Sequence, residues 1–450
     1  MQKSIWLLMV LLLCGCVSVS DATVYVSPTS VPTQQARIPI ASAVPTPEPA
    51  AVQTSAPSAV STPEPEPIPF HVTFAFGGDV CMEYGFGTNM KNGKWDEVLD
   101  SAVAARFAAA DFAVVNLETA VSLRGKPEDK EYTFCTEPQN LAYLRDRLGV
   151  DLVTLANNHS MDYGVDAFVD TLDHLDEYGI AHVGGGRNLA EASAPHIIEL
   201  QGRRIAIIGA SQVAPTVLWY ATDDRPGHLM AYDTSLVNAA ITAAKETCDF
   251  VIVYIHWGTE LAPAPKQAQV SAAYAMIDAG ADAIVGSHPH VVQTFEIYNG
   301  NPILYSLGNF LFNAKQPASA VAFLHLTDDG FRVEVVPLVL SGGSAMRPAP
   351  EKARALLDEW EAYSGRFGFD ADGFLTPVPN RPPKATPGAK PTPTLEPTPE
   401  PTLEPLPAST LEPTPEPLPA SSPSPTLEPT PEPLPVPTPG PDADLYTPAA

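Results

Sequence analysis

Proline limits what this chain of 450 residues can fold into more than any other feature, because it fixes φ and removes a backbone donor. Of its 50 prolines, 11 fall in residues 17–69 and 26 in residues 376–450, which leaves 13 for everything between. One folded unit is therefore expected over residues 70–375, set between two segments that cannot pack a core. A unit of that size buries about three quarters of the surface its unfolded chain exposes and needs no staples. A disulfide scaffold, a collagen-like fibre and a multi-span membrane protein are excluded.

Charge sets a second bound. The whole chain carries −27, and residues 70–375 alone hold 20 basic against 39 acidic side chains. A unit at −19 repels phosphate backbones, so no nucleic-acid partner is expected. It also repels an anionic polymer unless cations intervene.

The flanks have readings of their own. Residues 1–16 read as an export signal: Lys3 is the charged start, and the apolar run over 5–13 is too short to span about 30 Å of hydrocarbon. Its end, Leu13-Cys14-Gly15-Cys16, resembles a bacterial lipobox and makes Cys16 the lipidated first residue of the mature chain; an ordinary cleaved signal is the alternative. Three further cysteines, Cys81, Cys135 and Cys248, are an odd set for a disulfide framework. Residues 17–69, rich in Pro, Thr and Ser, suit an extended polyproline II spacer. In residues 376–450 the unit Thr-Leu-Glu-Pro-Thr-Pro-Glu-Pro starts at Thr394, Thr410 and Thr426, a period of 16 with no apolar face to stack. That tail is expected to be disordered, either an acidic brush or low complexity with no partner.

Inside residues 70–375, short apolar runs at 71–76, 112–116, 152–155, 250–256 and 283–285 have the length of buried strands. Helical stretches at 95–109, 139–148, 165–178 and 266–279 lie between them, so the fold class is α/β with a parallel or mixed sheet. Gln201-Gly202, 299–302 and Asp328-Asp329-Gly330 mark three hairpins. Polar residues gather just after the strands: Asp79, Glu118, Asn157-Asn158-His159, His256 and His288-Pro289-His290. Ligands of open α/β sheets bind outside the carboxyl ends of strands. Any one of these residues alone reads better as a turn former or a buried polar group. Together they form a mixed N/O donor set suited to divalent Zn, Mn, Fe or Ni. Six donors exceed the needs of one tetrahedral ion, whereas two ions sharing a carboxylate would use them. His159 is then free to act as general acid.

The series Gly78-Asp79-Val80, Asn116-Leu117-Glu118, Ala156-Asn157-Asn158-His159 with Asp162-Tyr163-Gly164, His256-Trp257-Gly258 with Glu260, Gly286-Ser287-His288-Pro289-His290 and Tyr305-Ser306-Leu307-Gly308-Asn309-Phe310 resembles the bacterial poly-γ-glutamate capsule-synthesis (CapA-type) family. That family is a branch of the calcineurin-like metallophosphatases. The resemblance implies a four-layer α/β/β/α sandwich, with Asp79, bridging Glu118, Asn158, His256, His288 and His290 as metal ligands and His159 as the acid. One departure is Cys81, which stands where the superfamily has a metal-binding His; a buried hydrophobe is the default there and a thiolate ligand the alternative. The implied function is an extracytoplasmic, membrane-anchored hydrolase of a surface polymer phosphoester or amide, poly-γ-glutamate or similar, working with capsule synthesis or export machinery. The alternative is a non-catalytic accessory or anchoring protein that holds anionic polymer through metal.

Overall fold

The computed structural model describes residues 69–313 and 316–378. The signal with Cys16, the spacer up to residue 68 and the tail from residue 379 lie outside the described residues.

Two sheets carry the fold. In the first, the strand His71–Val80 pairs in parallel with Phe112–Leu117, which is followed by Leu152–Thr154 and Ala181–Val183, also parallel. On its other side it pairs antiparallel with Ala318–Thr327, which forms a long hairpin with Gly330–Ser341. Asn309–Leu311 adds a short parallel pairing at its carboxyl end. The second sheet has a parallel centre of Arg203–Ser211, Phe250–His256, Ala283–Ser287 and Asn301–Leu304. Antiparallel edges, His196–Leu200 and Phe295–Tyr298, flank it.

Alternation along the central strands produces the layers, since successive side chains point to opposite faces. Ala75 faces one way, toward Val103 and Phe107 of helix Ser101–Ala108 and Phe168 and Leu172 of helix Val165–Tyr178. Its neighbours Phe74 and Phe76 face the other way, into a core shared with Ile205, Ile207, Ile252 and Tyr254 of the second sheet. Ala206, Ile208, Val251 and Val253 then cover Ile241 of helix Ser235–Lys245 and Met276 of helix Gln267–Asp278. Helix, sheet, sheet, helix: the four-layer sandwich is present, with an apolar core at each of its three interfaces.

Three local expectations change. The first strand does not stop with the apolar run at Phe76: it continues through Gly77-Gly78 to Val80, with an irregularity between Phe76 and Asp79, so Asp79 lies inside the strand rather than after it. Those glycines serve close approach instead of a turn: a Cβ on Gly78 would collide with the Gly308 carbonyl, and one on Gly77 with the Phe310 ring. Residues 95–109 divide into a turn at Trp95–Glu97 and a helix Ser101–Ala108, because Asp100 caps the second by accepting from the Ala102 and Val103 amides. Residues 139–148 form a 3₁₀ turn, Pro138–Asn140, and a wide π turn, Tyr143–Arg147, rather than one α-helix. The three hairpins form as expected, and the second turns more tightly, on Asn299-Gly300, with Pro302 already in the strand.

Candidate metal centre

Both sheets end their central strands at one place. Asp79 lies in register between Asn116 of the neighbouring strand and Asn309 of the short parallel one. Asn116 Nδ2 donates to Asp79 Oδ1 at 2.8 Å, which fixes the carboxylate. Glu118 follows directly on the strand Phe112–Leu117, and its amide donates to Val80 O at 2.8 Å. From the second sheet, His256 closes its strand in register with Ser287, whose Oγ lies 2.9 Å from His256 Nδ1. His288 and His290 follow in a loop where both take positive φ, 95° and 56°. For bulky residues that conformation is costly, and such strain gathers at functional sites.

The donor atoms converge. His256 Nε2 lies 2.6 Å from Asn158 Oδ1, 3.1 Å from His288 Nδ1 and 3.4 Å from Glu118 Oε1. His290 Nδ1 lies 2.8 Å from Asn309 Oδ1 and 3.4 Å from Asp79 Oδ2. Two donor triads result, Glu118/His256/His288 and Asp79/Glu118/His290, each with ligand atoms within 4.8 Å of one another. Glu118 belongs to both.

Electrostatics test whether a cation suits these residues. Glu118 is fully buried, and neither of its oxygens has a hydrogen-bond partner. Burial first, then the Asp79 charge, pushes its carboxyl well above the usual range. Asp79 is equally buried, yet His290 and Asn116 outweigh burial and hold it below its ordinary value. Burial drives His256 well below the usual imidazole range and His288 to about 3, while contact with Asp79 overcomes burial at His290 and raises it. An orphaned buried carboxylate beside neutral imidazoles is a poor hydrogen-bonding arrangement and a good coordinating one. The residues fit a divalent cation.

All six expected ligand positions and His159 therefore meet at one site. His159 Nδ1 lies 2.6 Å from Asp162 Oδ2, and the ring packs on Phe134 at a centroid distance of 4.4 Å. Burial lowers its pKa, and Asp162 opposes that shift. Asn157 is a builder rather than a ligand: its Nδ2 donates to Asn116 Oδ1 and Leu117 O, and its Oδ1 accepts from the His159 amide. Cys81 belongs to neither triad; it is buried against Phe134 and Phe312, and burial pushes its thiol up, as befits a small hydrophobe.

Lys130 escapes the sequence reading, which gives Asp162 no role. Lys130 Nζ reaches Asp162 Oδ1 at 2.6 Å, Asn158 O at 2.7 Å and His159 Nδ1 at 3.3 Å. Asp162 is visible as part of a motif, and its spacing of three from His159 hints at a pair in one turn. Nothing local marks Lys130, which sits in a mixed run of charges and is brought in by a loop.

With this geometry in view, the comparisons with known proteins are specific. Residues 73–314 match the family described as bacterial capsule synthesis protein PGA_cap. The PGA biosynthesis protein CapA of Bacillus subtilis is 33% identical, the match covering 66% of this chain and 82% of that one. The capsule biosynthesis protein CapA of Bacillus anthracis is 34% identical over 56% of this chain and 63% of its own. Among solved structures, a phosphatase of Mycoplasma pneumoniae overlaps 60% of this chain and 95% of its own at 14% identity and a TM-score of 0.39, too loose to carry an argument. The matched span contains every residue of the metal centre, and on that match the chain belongs to the bacterial capsule synthesis protein PGA_cap family.

Proposed function

We propose that this chain is an extracytoplasmic metal-dependent hydrolase that cuts a phosphoester or amide of an anionic surface polymer, poly-γ-glutamate or similar, during capsule synthesis or export. The observation that carries the reading is Glu118, a fully buried carboxylate with two unpartnered oxygens shared by two donor triads. Asp79, Glu118, Asn158, His256, His288 and His290 would hold two divalent ions. Bound there, such ions supply Lewis-acid polarisation and a nucleophile at neutral pH.

The remaining roles belong to the chain itself. Asn116 and Asn309 orient Asp79 and His290. Asp162 engages His159 Nδ1, so Nε2 is the nitrogen left to exchange a proton with the leaving group from the cavity wall. Lys130 neutralises Asp162 and pins the Asn158 carbonyl. Metal also answers the repulsion between a −19 domain and a polyanion. Lipid on Cys16 would keep the site at the outer face of the membrane.

The test is metal content together with turnover. The purified protein should hold divalent metal, and Glu118→Gln and His256→Ala should each lose most of it; stoichiometric metal in both variants overturns the site. Loaded protein should hydrolyse a chromogenic phosphodiester or shorten poly-γ-glutamate. The relatives' names speak of biosynthesis rather than hydrolysis, and this favours one second reading. Loaded protein that binds the polymer and cuts neither substrate is an accessory that holds polymer through metal.

A further inference from the structure

A cavity of about 250 Å³ opens beside the metal centre, with His159 and His290 on its inner wall. The rest of its wall is unusual for a protein that handles a polyanion. Four aromatic side chains, Tyr84, Tyr132, Phe134 and Phe312, line it, and Glu260 is its carboxylate. Among the described lining residues there is no lysine or arginine. Three of the rings are contiguous: Phe134 meets Tyr84 and Phe312 edge to face at 6.5 and 5.3 Å, and Phe312 reaches His290 at 4.9 Å.

The turn that carries Glu260 is held at the next residue. Leu261 adopts φ 59°, and its amide donates to Pro289 O at 2.8 Å, which leans this turn on the His288-Pro289-His290 loop. A left-handed leucine is an uncommon expense of conformation, and here it sets the course of the turn that brings Glu260 to an aromatic-lined cavity. Ring faces with an adjacent carboxylate attract an ammonium group by cation–π and ion-pair terms and repel a second anion.

We propose that this cavity is an ammonium-binding subsite, so that the substrate is engaged at an amine-bearing end. Resting on the reading of the centre as one that acts on a γ-glutamyl polymer, the consequence is directional. Every residue of such a chain presents an α-carboxylate, which Glu260 disfavours, and the ammonium of the amino-terminal residue is what offsets that repulsion. Only the free amino terminus presents a cation, and its first linkage is then the one placed at the metal centre.

Calorimetric titration of the metal-loaded full chain with tri-γ-glutamate, free or N-acetylated at its amino end, tests this, with metal content measured on the same samples. The free amine should bind about tenfold more tightly. Glu260→Gln and the surface change Tyr132→Leu should each bring that ratio toward one at unchanged metal content. Lys315, next in sequence to the wall residues, lies outside the described residues; Lys315→Ala should keep the preference. Equal binding, tighter binding of the acetylated peptide, or no binding of either by fully loaded protein overturns the subsite. Loaded protein that prefers the free amine yet cuts nothing overturns the hydrolase reading and leaves the subsite standing.

Discussion

At the scale of single residues, the site is legible wherever chemistry coincides with a strand end. Asp79, Glu118, Asn158, His256, His288 and His290 stand out in the sequence because each of five apolar runs ends on, or is followed within three residues by, a side chain able to donate to a metal. Lys130 does not, since its role exists only through contacts with Asn158, His159 and Asp162, some thirty residues away. The division of labour is testable. His159→Ala should keep metal and lose about 10²–10⁴-fold in turnover, because it removes proton transfer and leaves the triads intact. Loss of metal in that variant would show that His159 is a ligand. In Glu118→Gln the metal-free protein should unfold no more easily than the parent, because the neutral amide replaces a carboxylate with no partner to lose. A fall of several degrees in its melting temperature would show that Glu118 makes a structural bond.

Elements were legible when their ends carried signals of their own. The helix Val165–Tyr178 begins after Gly164 and ends at left-handed Gly179, and periodicity alone places it. The pair Gly77-Gly78 misleads for a tertiary reason: its small residues accommodate a neighbouring loop, which local pattern does not encode. Gly78→Ala should accordingly cost about 2–3 kcal/mol, with a melting temperature lowered by roughly 5 °C or more. A neutral result would mean that the Gly308 loop yields freely. A second element-scale contact ties helix Ser101–Ala108 to the sheet, where Arg106 grips Glu334 through two bonds of 2.8 and 2.6 Å. Burial disfavours the Glu334 anion, but His325 and Arg106 outweigh it and pull the carboxyl from 4.5 down to about 2. Because the folded value is the lower one, this stabilisation is complete above pH 4.5 and fades as pH falls toward about 2. With Arg106 partly exposed, its worth is about 1–2 kcal/mol. Urea unfolding of Glu334→Gln should show that deficit at pH 7 and a narrower one at pH 3. An equal gap at both pH values would place the effect in packing.

For the molecule as a whole, Leu375–Pro377 pairs antiparallel with Phe367–Phe369, next to the helix Pro350–Tyr363. Removing residues 379–450 should leave the melting temperature and metal content unchanged, since the 16-residue repeats carry too little apolar surface to offset about 1–2 kcal/mol of ordering per residue. A drop of several degrees would reveal a docked tail. Cys16→Ser should move the protein from the membrane fraction to the medium, given that two or more acyl chains anchor stably. Retention on the membrane would point to another anchor.

Composition and periodicity by themselves set where a folded unit is expected, and determined that strands and helices alternate and which side chains crown the strands. These follow from local physics: proline's fixed φ, alternation with a period of two, and the turn chemistry of glycine and asparagine. Tertiary structure alone decided that Asp79 and His256, borne on separate sheets, meet with Glu118 between them, and that Lys130 clamps the Asp162–His159 pair. It also decided that Gly78 is a contact rather than a bend, and that an aromatic wall with Glu260 at its mouth stands beside the metal ligands. Such facts depend on how two sheets stack and which loops their ends bring together, and no window of sequence contains both partners of those contacts.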